Sequence, residues 1–236
     1  MVLKSIPSTD IRILRLLAEN KEYAQYDMWR AINKNYRTIL RRLPILEKAG
    51  LIQVVRLEPS EKGGKEKKIY RITLQGLRFW VLMEPKVAED KFELIAKAHK
   101  DKLLVFKKWS YFKQKGLANF IKQSFFEGIT QLTFLEAMLY FAHSKVTGDF
   151  PKERVDDEKI AENINIAALK LFIGTPLELV KKSAQDKWGL MLKLYKAIMQ
   201  DKELREFVEK IIKRKESELK RNLKTLEGWK QLLSQL

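Results

Sequence analysis

The feature that most constrains this chain is a change of period within its first quarter. From Thr9 to about Glu19, apolar residues return at helical spacing, with Ile11, Leu14, Leu17 and Ala18 on one stripe and Thr9 placed to cap it. A second short helix is predicted over Tyr23–Ile32, with Ala24, Met28 and Ile32 inward. Asn33-Lys34-Asn35 supplies a turn of residues that tolerate left-handed backbone. A third helix is predicted from Tyr36 to Ala49-Gly50, glycine being the common residue just past a helix end. There the period shortens. Leu51–Leu57 and Lys68–Leu74 are rich in β-branched residues, and Gly63-Gly64 between them marks a hairpin.

Helix, helix, helix, hairpin is the order of a winged helix-turn-helix, and two strings make the resemblance specific. Arg37 to Ile52 (RTILRRLPILEKAGLI) resembles the recognition helix and following strand of bacterial and archaeal winged-helix regulators of the MarR, PadR and ArsR type. The matching residues are Thr38, Arg41 or Arg42 with Leu43, Leu46-Glu47, and Gly50-Leu51-Ile52. Tyr70-Arg71-Ile72-Thr73-Leu74-Gln75-Gly76 is similar to the string that closes the wing and opens the next helix in those families. The resemblance covers residues 8 to 83. It implies a mainly α chain whose first domain, residues 1–86, is a three-helix module with a β-hairpin wing that binds duplex DNA. Pro44 departs from the pattern: it removes a helical hydrogen bond, so a kink or a helix in two pieces is expected there.

Placing Ile39, Leu43 and Leu46 inward puts Arg37, Thr38 and Arg41 nearly opposite, with Arg42 on the flank and Lys34 at the N-terminal end. An α-helix fits the major groove, where Arg can donate two hydrogen bonds to guanine and Thr can touch a thymine methyl. Arg37, Thr38, Arg41 and Arg42 are therefore the candidate base contacts. Lys34, Asn35 and Tyr36 are candidates for the phosphates, although Tyr36 can instead pack on the first helix. Lys62, Lys65, Lys67 and Lys68 surround the hairpin tip, with Arg71 and Arg56 flanking it; lysine, a flexible point charge, suits phosphate more than base reading.

The net charge of +17 points to a polyanionic partner, nucleic acid or an anionic membrane surface. Residues 1–86 carry +9 and residues 87–236 carry +8, so the charge is about twice as dense in the N-terminal module. No apolar run of 18 or more residues occurs, and the start MVLKSIPSTDIRILRLL lacks the pattern of a signal peptide. The absence of cysteine excludes disulfides and thiolate chemistry, and a cytoplasmic setting is expected. His99 and His143 stand alone, Asp156-Asp157-Glu158 reads as an acidic first turn, and Gly63-Gly64 lacks the Lys-Ser/Thr of a phosphate loop. No catalytic residue, metal or cofactor is expected.

Residues 87–236 read as an all-helical domain, with helices predicted over about 88–107, 110–127, 131–145, 156–173, 176–200 and 202–235. Aromatics crowd residues 106 to 141: Phe106, Trp109, Tyr111, Phe112, Phe120, Phe125, Phe126, Phe134, Tyr140 and Phe141. They suit the core of a helical bundle more than a pocket for an effector. The last helix carries Leu219, Leu226, Trp229 and Leu233 at near-heptad spacing, interrupted by Lys215 and Asn222. Those four are candidate dimer contacts, the alternative being a helix folded back on its own chain. The expected function is sequence-specific binding of double-stranded DNA as a homodimeric transcriptional regulator, with no membrane partner and no effector identified. The alternatives are a DNA-maintenance protein using the same module, for replication initiation, segregation or architecture, and a winged-helix scaffold for protein partners. Replacing Lys62, Lys65, Lys67 and Lys68 by Ala is expected to weaken every duplex alike and flatten the salt dependence, by up to ~0.9 log units per lost phosphate contact. An unchanged salt slope in filter binding would remove the tip from the interface.

Overall fold

The computed structural model describes residues 7–59, 66–131, 156–173 and 175–233, with side chains to residue 227. The chain divides into two compact units, Met1–Leu169 and Lys170–Leu236. The first runs well past residue 86, where the first domain was expected to close, because the later helices pack directly on the N-terminal ones.

The first unit opens with α1 (Ser8–Glu19), β1 (Tyr23–Ala24), α2 (Gln25–Ile32) and α3 (Tyr36–Lys48). β2 (Ile52–Glu58) and β3 (Lys67–Ile72) follow, then α4 (Leu74–Met83). The three strands form one antiparallel sheet in the order β1-β3-β2. Ile52 faces Ile72 and Val54 faces Tyr70, and a bulge between Val54 and Arg56 shifts the register toward the hairpin end. β1 is a departure from the expected second helix: Tyr23 and Ala24 pair with Tyr70 and Ile69 instead of starting α2. Pro7, not Thr9, stands at the N-cap of α1, and Thr9 is buried inside the helix. The stripe of α1 is also shifted, with Ile13, Leu14, Leu17 and Ala18 fully buried and Ile11 only half-buried. Around it gather Met28 and Ile32 of α2, Ile39, Leu43 and Leu46 of α3, Ile52, Ile69 and Ile72 of the sheet, and Leu77 and Trp80 of α4.

Beyond α4 the apolar periodicity held, but the chain breaks more often than that periodicity suggests. Residues 88–107 are not one helix: α5 (Pro85–Asp90), α6 (Phe92–Ala98) and α7 (Leu104–Lys107) share that span. α8 (Trp109–Gln114) stops at Gly116, whose φ of 64° only glycine adopts cheaply, and a further helix, α9, covers 118–131. The helix expected over 131–145, with Phe134, Tyr140, Phe141 and His143, falls almost wholly outside the described residues. α10 (Asp157–Ala168) packs on α4 and α7, and its Asn165 side chain accepts a hydrogen bond from Val105 N at 3.1 Å. The described aromatics form a core, not a pocket: the Phe92 ring meets Trp109 at 4.8 Å, Phe125 at 5.2 Å and Phe106 at 5.7 Å, largely edge to face.

The second unit holds α11 (Leu177–Ser183), a short 3-10 turn (Gln185–Lys187), α12 (Trp188–Gln200) and α13 (Lys202–Leu233). The single helix expected over 176–200 is therefore split at Ala184. α12 and α13 are neighbours, and Met191, Leu194 and Ile198 of the first and Leu204 and Ile211 of the second are buried. Among the described residues, no helix is long and apolar enough to cross a membrane.

His99 joins α6 to α1. It is fully buried, and its Nε2 donates to the Ala18 carbonyl at 2.9 Å. Burial, helped by the charge of Lys102, lowers its pKa from 6.5 to about 4. The unfolded chain then binds a proton, between pH 6.5 and 4, that the folded chain refuses. Stability should be full above pH 6.5 and fall by about 3 kcal/mol toward pH 4. In urea titrations at pH 7, 6 and 5, His99→Gln should lose that slope in the same window; a parent protein as flat as the variant would contradict it.

Candidate nucleic-acid interface

α3 begins where the sequence stops favouring the previous turn. Asn33 adopts φ 51°, and the Asn35 side chain caps the new helix by accepting from Arg37 N at 2.9 Å. α3 is then continuous from Tyr36 to Lys48 with Pro44 inside it, so the expected split does not occur. Proline cannot donate to the Leu40 carbonyl. Pro44 and Leu40 both lie on the exposed side, where water can take that bond. Ile39, Leu43 and Leu46 point inward as the sequence pattern required. The outward face is Arg37, Leu40, Arg41, Pro44, Ile45 and Lys48, all exposed.

Three sets of contacts set the direction of that face. The first is ionic. Arg42 donates from Nε to Asp10 Oδ1 at 2.7 Å, and its second nitrogen bonds the other Asp10 oxygen. The Asp10 side chain is only 5% exposed, so this carboxylate depends on its partner. The hydrogen bonds that Arg42 donates to Asp10 raise its pKa above the usual value. The second is a backbone clasp. Thr73 Oγ1 donates to the Gly50 carbonyl at 2.6 Å and accepts from Gly76 N at 3.0 Å, while Thr73 N donates to the Leu51 carbonyl at 3.1 Å. Gly76 must be glycine, because a Cβ there would lie 2.0 Å from the Leu51 oxygen. The third is aromatic. Tyr36 packs on Trp29 at 5.8 Å and on Tyr26 at 6.4 Å, fastening α3 to α2.

These contacts sort the expected site residues. Arg37 and Arg41 are exposed, and their side chains make no hydrogen bond or ion pair among the described residues. Thr38 lies beside them, half-exposed, and Lys34 is exposed in the preceding turn. Asn35 is engaged as the cap and Tyr36 in the aromatic cluster. Arg42 is turned away to Asp10. Arg71 is likewise taken, donating to both Asp101 oxygens at 2.6 Å with only 14% of its side chain exposed. Arg56 is held by Glu22 and Glu58. Lys67 reaches Asp27 at 3.4 Å, whereas Lys68 stays exposed on β3. Lys62 and Lys65 lie outside the described residues.

The sequence reading missed Leu40, which sits between Arg37 and Arg41 on the same exposed face. The signal was present, since Leu40 is off the Ile39–Leu43–Leu46 stripe. The outward face thus carries two unpaired guanidinium groups with Lys48, and Leu40, Pro44 and Ile45 beside them; the sole acid of α3, Glu47, is half-buried in line with Leu40 at the face's edge. Such a face can donate paired hydrogen bonds and offer an apolar contact. No protein-family model matches the chain, and no curated protein or solved structure is similar to it at a significant level. The site therefore stands on its geometry.

Removing Arg42 leaves Asp10 buried without its partner. Arg42→Ala should cost on the order of 2–3 kcal/mol of stability. Adding Asp10→Ala should recover part of it, which a double-mutant cycle by chemical denaturation will read as a positive coupling. Purely additive effects would show that the pair does not hold α3.

Proposed function

We propose that this protein binds duplex DNA in a sequence-specific way through a winged helix-turn-helix spanning residues 8–83, and that it acts as a transcriptional regulator. The observation that carries this reading is the pair Arg37 and Arg41: exposed, unpaired, one helical turn apart, on a helix whose direction is fixed by contacts on its other faces. The element order α1-β1-α2-α3-β2-β3, with the sheet order β1-β3-β2, supports the assignment of the module.

In the complex, α3 lies in the major groove, whose width of about 12 Å matches a helix with its side chains. Arg37 and Arg41 each present a planar fork to the N7 and O6 acceptors of guanine. Leu40 and Thr38 meet thymine methyl groups beside them. Lys34, Lys68 and the lysines of the hairpin tip neutralise phosphates, which sets affinity and salt dependence without reading sequence. Arg42 and Arg71, committed to carboxylates, act on DNA only by holding α3 and β3 in place.

Selection from a random duplex library followed by footprinting tests the reading. Arg41→Ala should weaken the selected site by about 5- to 150-fold, corresponding to roughly 1–3 kcal/mol per bidentate contact, and random duplex far less, with the melting temperature unchanged. Arg37→Ala should behave in the same way. If both variants keep the specific-to-random ratio of the parent, α3 is not the reader.

A further inference from the structure

α13 has 32 residues and the helix it packs on, α12, has 13. Its first part is covered, with Leu204 and Ile211 buried. From 212 to 227 not one residue is buried. Within this mostly polar stretch Leu219, Leu223 and Leu226 stand 60%, 58% and 59% exposed. A lone helix of this length is marginal in water, since helices gain most of their stability from burying an apolar face. The ion pairs Lys215–Glu218 at 2.7 Å and Arg214–Glu218 at 3.8 Å add only tenths of a kcal/mol each.

We propose that a second copy of this chain covers the stretch, with the two α13 helices parallel and in register from Ile212 onward. Ile212, Leu219 and Leu226 recur every seven residues and form one row of a coiled-coil seam; Lys215 and Asn222 fall between them in the other row. A self-pair is singled out by Asn222. In a parallel, in-register pair each layer meets itself, so leucine packs on leucine and one Asn222 amide donates to the carbonyl oxygen of the other. An antiparallel pair centred on the same stretch sets Leu219 against Asn222 and Leu226 against Lys215, leaving the amide without a partner. A foreign helix would need its own amide at the matching layer. Lys215 is compatible with the parallel pair, because its long stem can carry the ammonium to the edge of the seam, where it bonds Glu218 in each copy. The pairing goes beyond the DNA reading and does not depend on it.

The test uses the full chain without DNA. Sedimentation velocity across a concentration series should give a dimer for the parent. Leu219→Asp with Leu226→Asp should raise the dimer dissociation constant at least ~100-fold, since two interface anchors are lost. Neither leucine is buried within one chain, so the monomer should keep its fold. The chain has no cysteine, so Leu226→Cys alone reports orientation: mild oxidation should link two copies across the parallel layer. A parent that stays monomeric at all concentrations overturns the pairing, as does a dimer that survives the double substitution. A dimeric Leu226→Cys protein that does not cross-link overturns the parallel register, and this arm holds even where the aspartate variant fails to fold.

Discussion

One threonine hydroxyl joins the helical and strand parts of the N-terminal module. Thr73 Oγ1 gives its proton to the carbonyl just past α3 and receives the amide of Gly76 in the first turn of α4. The end of one helix and the start of another are thereby held to one shared side-chain oxygen. The approach is so close that no side chain can stand at Gly76. Arg15 and Trp80, both donating to Glu84, repeat the fastening at the far end of α4. The direction of α3 follows from these junctions more than from its own sequence.

Six arginines of the module separate into two groups with different physical roles. Arg15, Arg42, Arg56 and Arg71 each face one or two carboxylates. In the Asp10 pair the carboxylate is nearly dry, so its worth lies in the large cost of breaking it. Arg37 and Arg41 keep their water and their donors. A folded domain gains little from exposed charge, and like charges placed a turn apart repel slightly. Their position on the outer face changes folding stability little in either direction.

Much of this was legible in the sequence wherever the signal was local. The three helices, the αL turn at Asn33, the Gly50 stop and both long strands follow from periodicity and turn chemistry within a few residues. What escaped was long-range. Tyr23-Ala24 is a strand only because Tyr70 and Ile69 lie beside it, and two residues carry no period of their own. Arg42 looked like an outward cation because its partner, Asp10, is 32 positions away. Arg71 looked like part of the wing for the same reason, with Asp101 in the loop after α6. The helices after α4 were read too long, since an apolar stripe tells which face is buried and says little about where the chain turns. Leu40 was passed over because only the polar residues of the outward face were read as contacts.

The arrangement of α3 divides its residues by what they answer to. Ile39, Leu43, Leu46, Arg42 and Tyr36 hold the helix in the fold. Arg37, Leu40 and Arg41 touch nothing that stability depends on, and exchanges at such exposed positions generally change folding free energy by less than about 0.5 kcal/mol. Selection for a stable chain is therefore blind to them. In descendants of this protein, the three positions can drift or be exchanged wholesale while the scaffold beneath stays as it is, so the chemistry of this face can change by few substitutions and without a compensating change elsewhere.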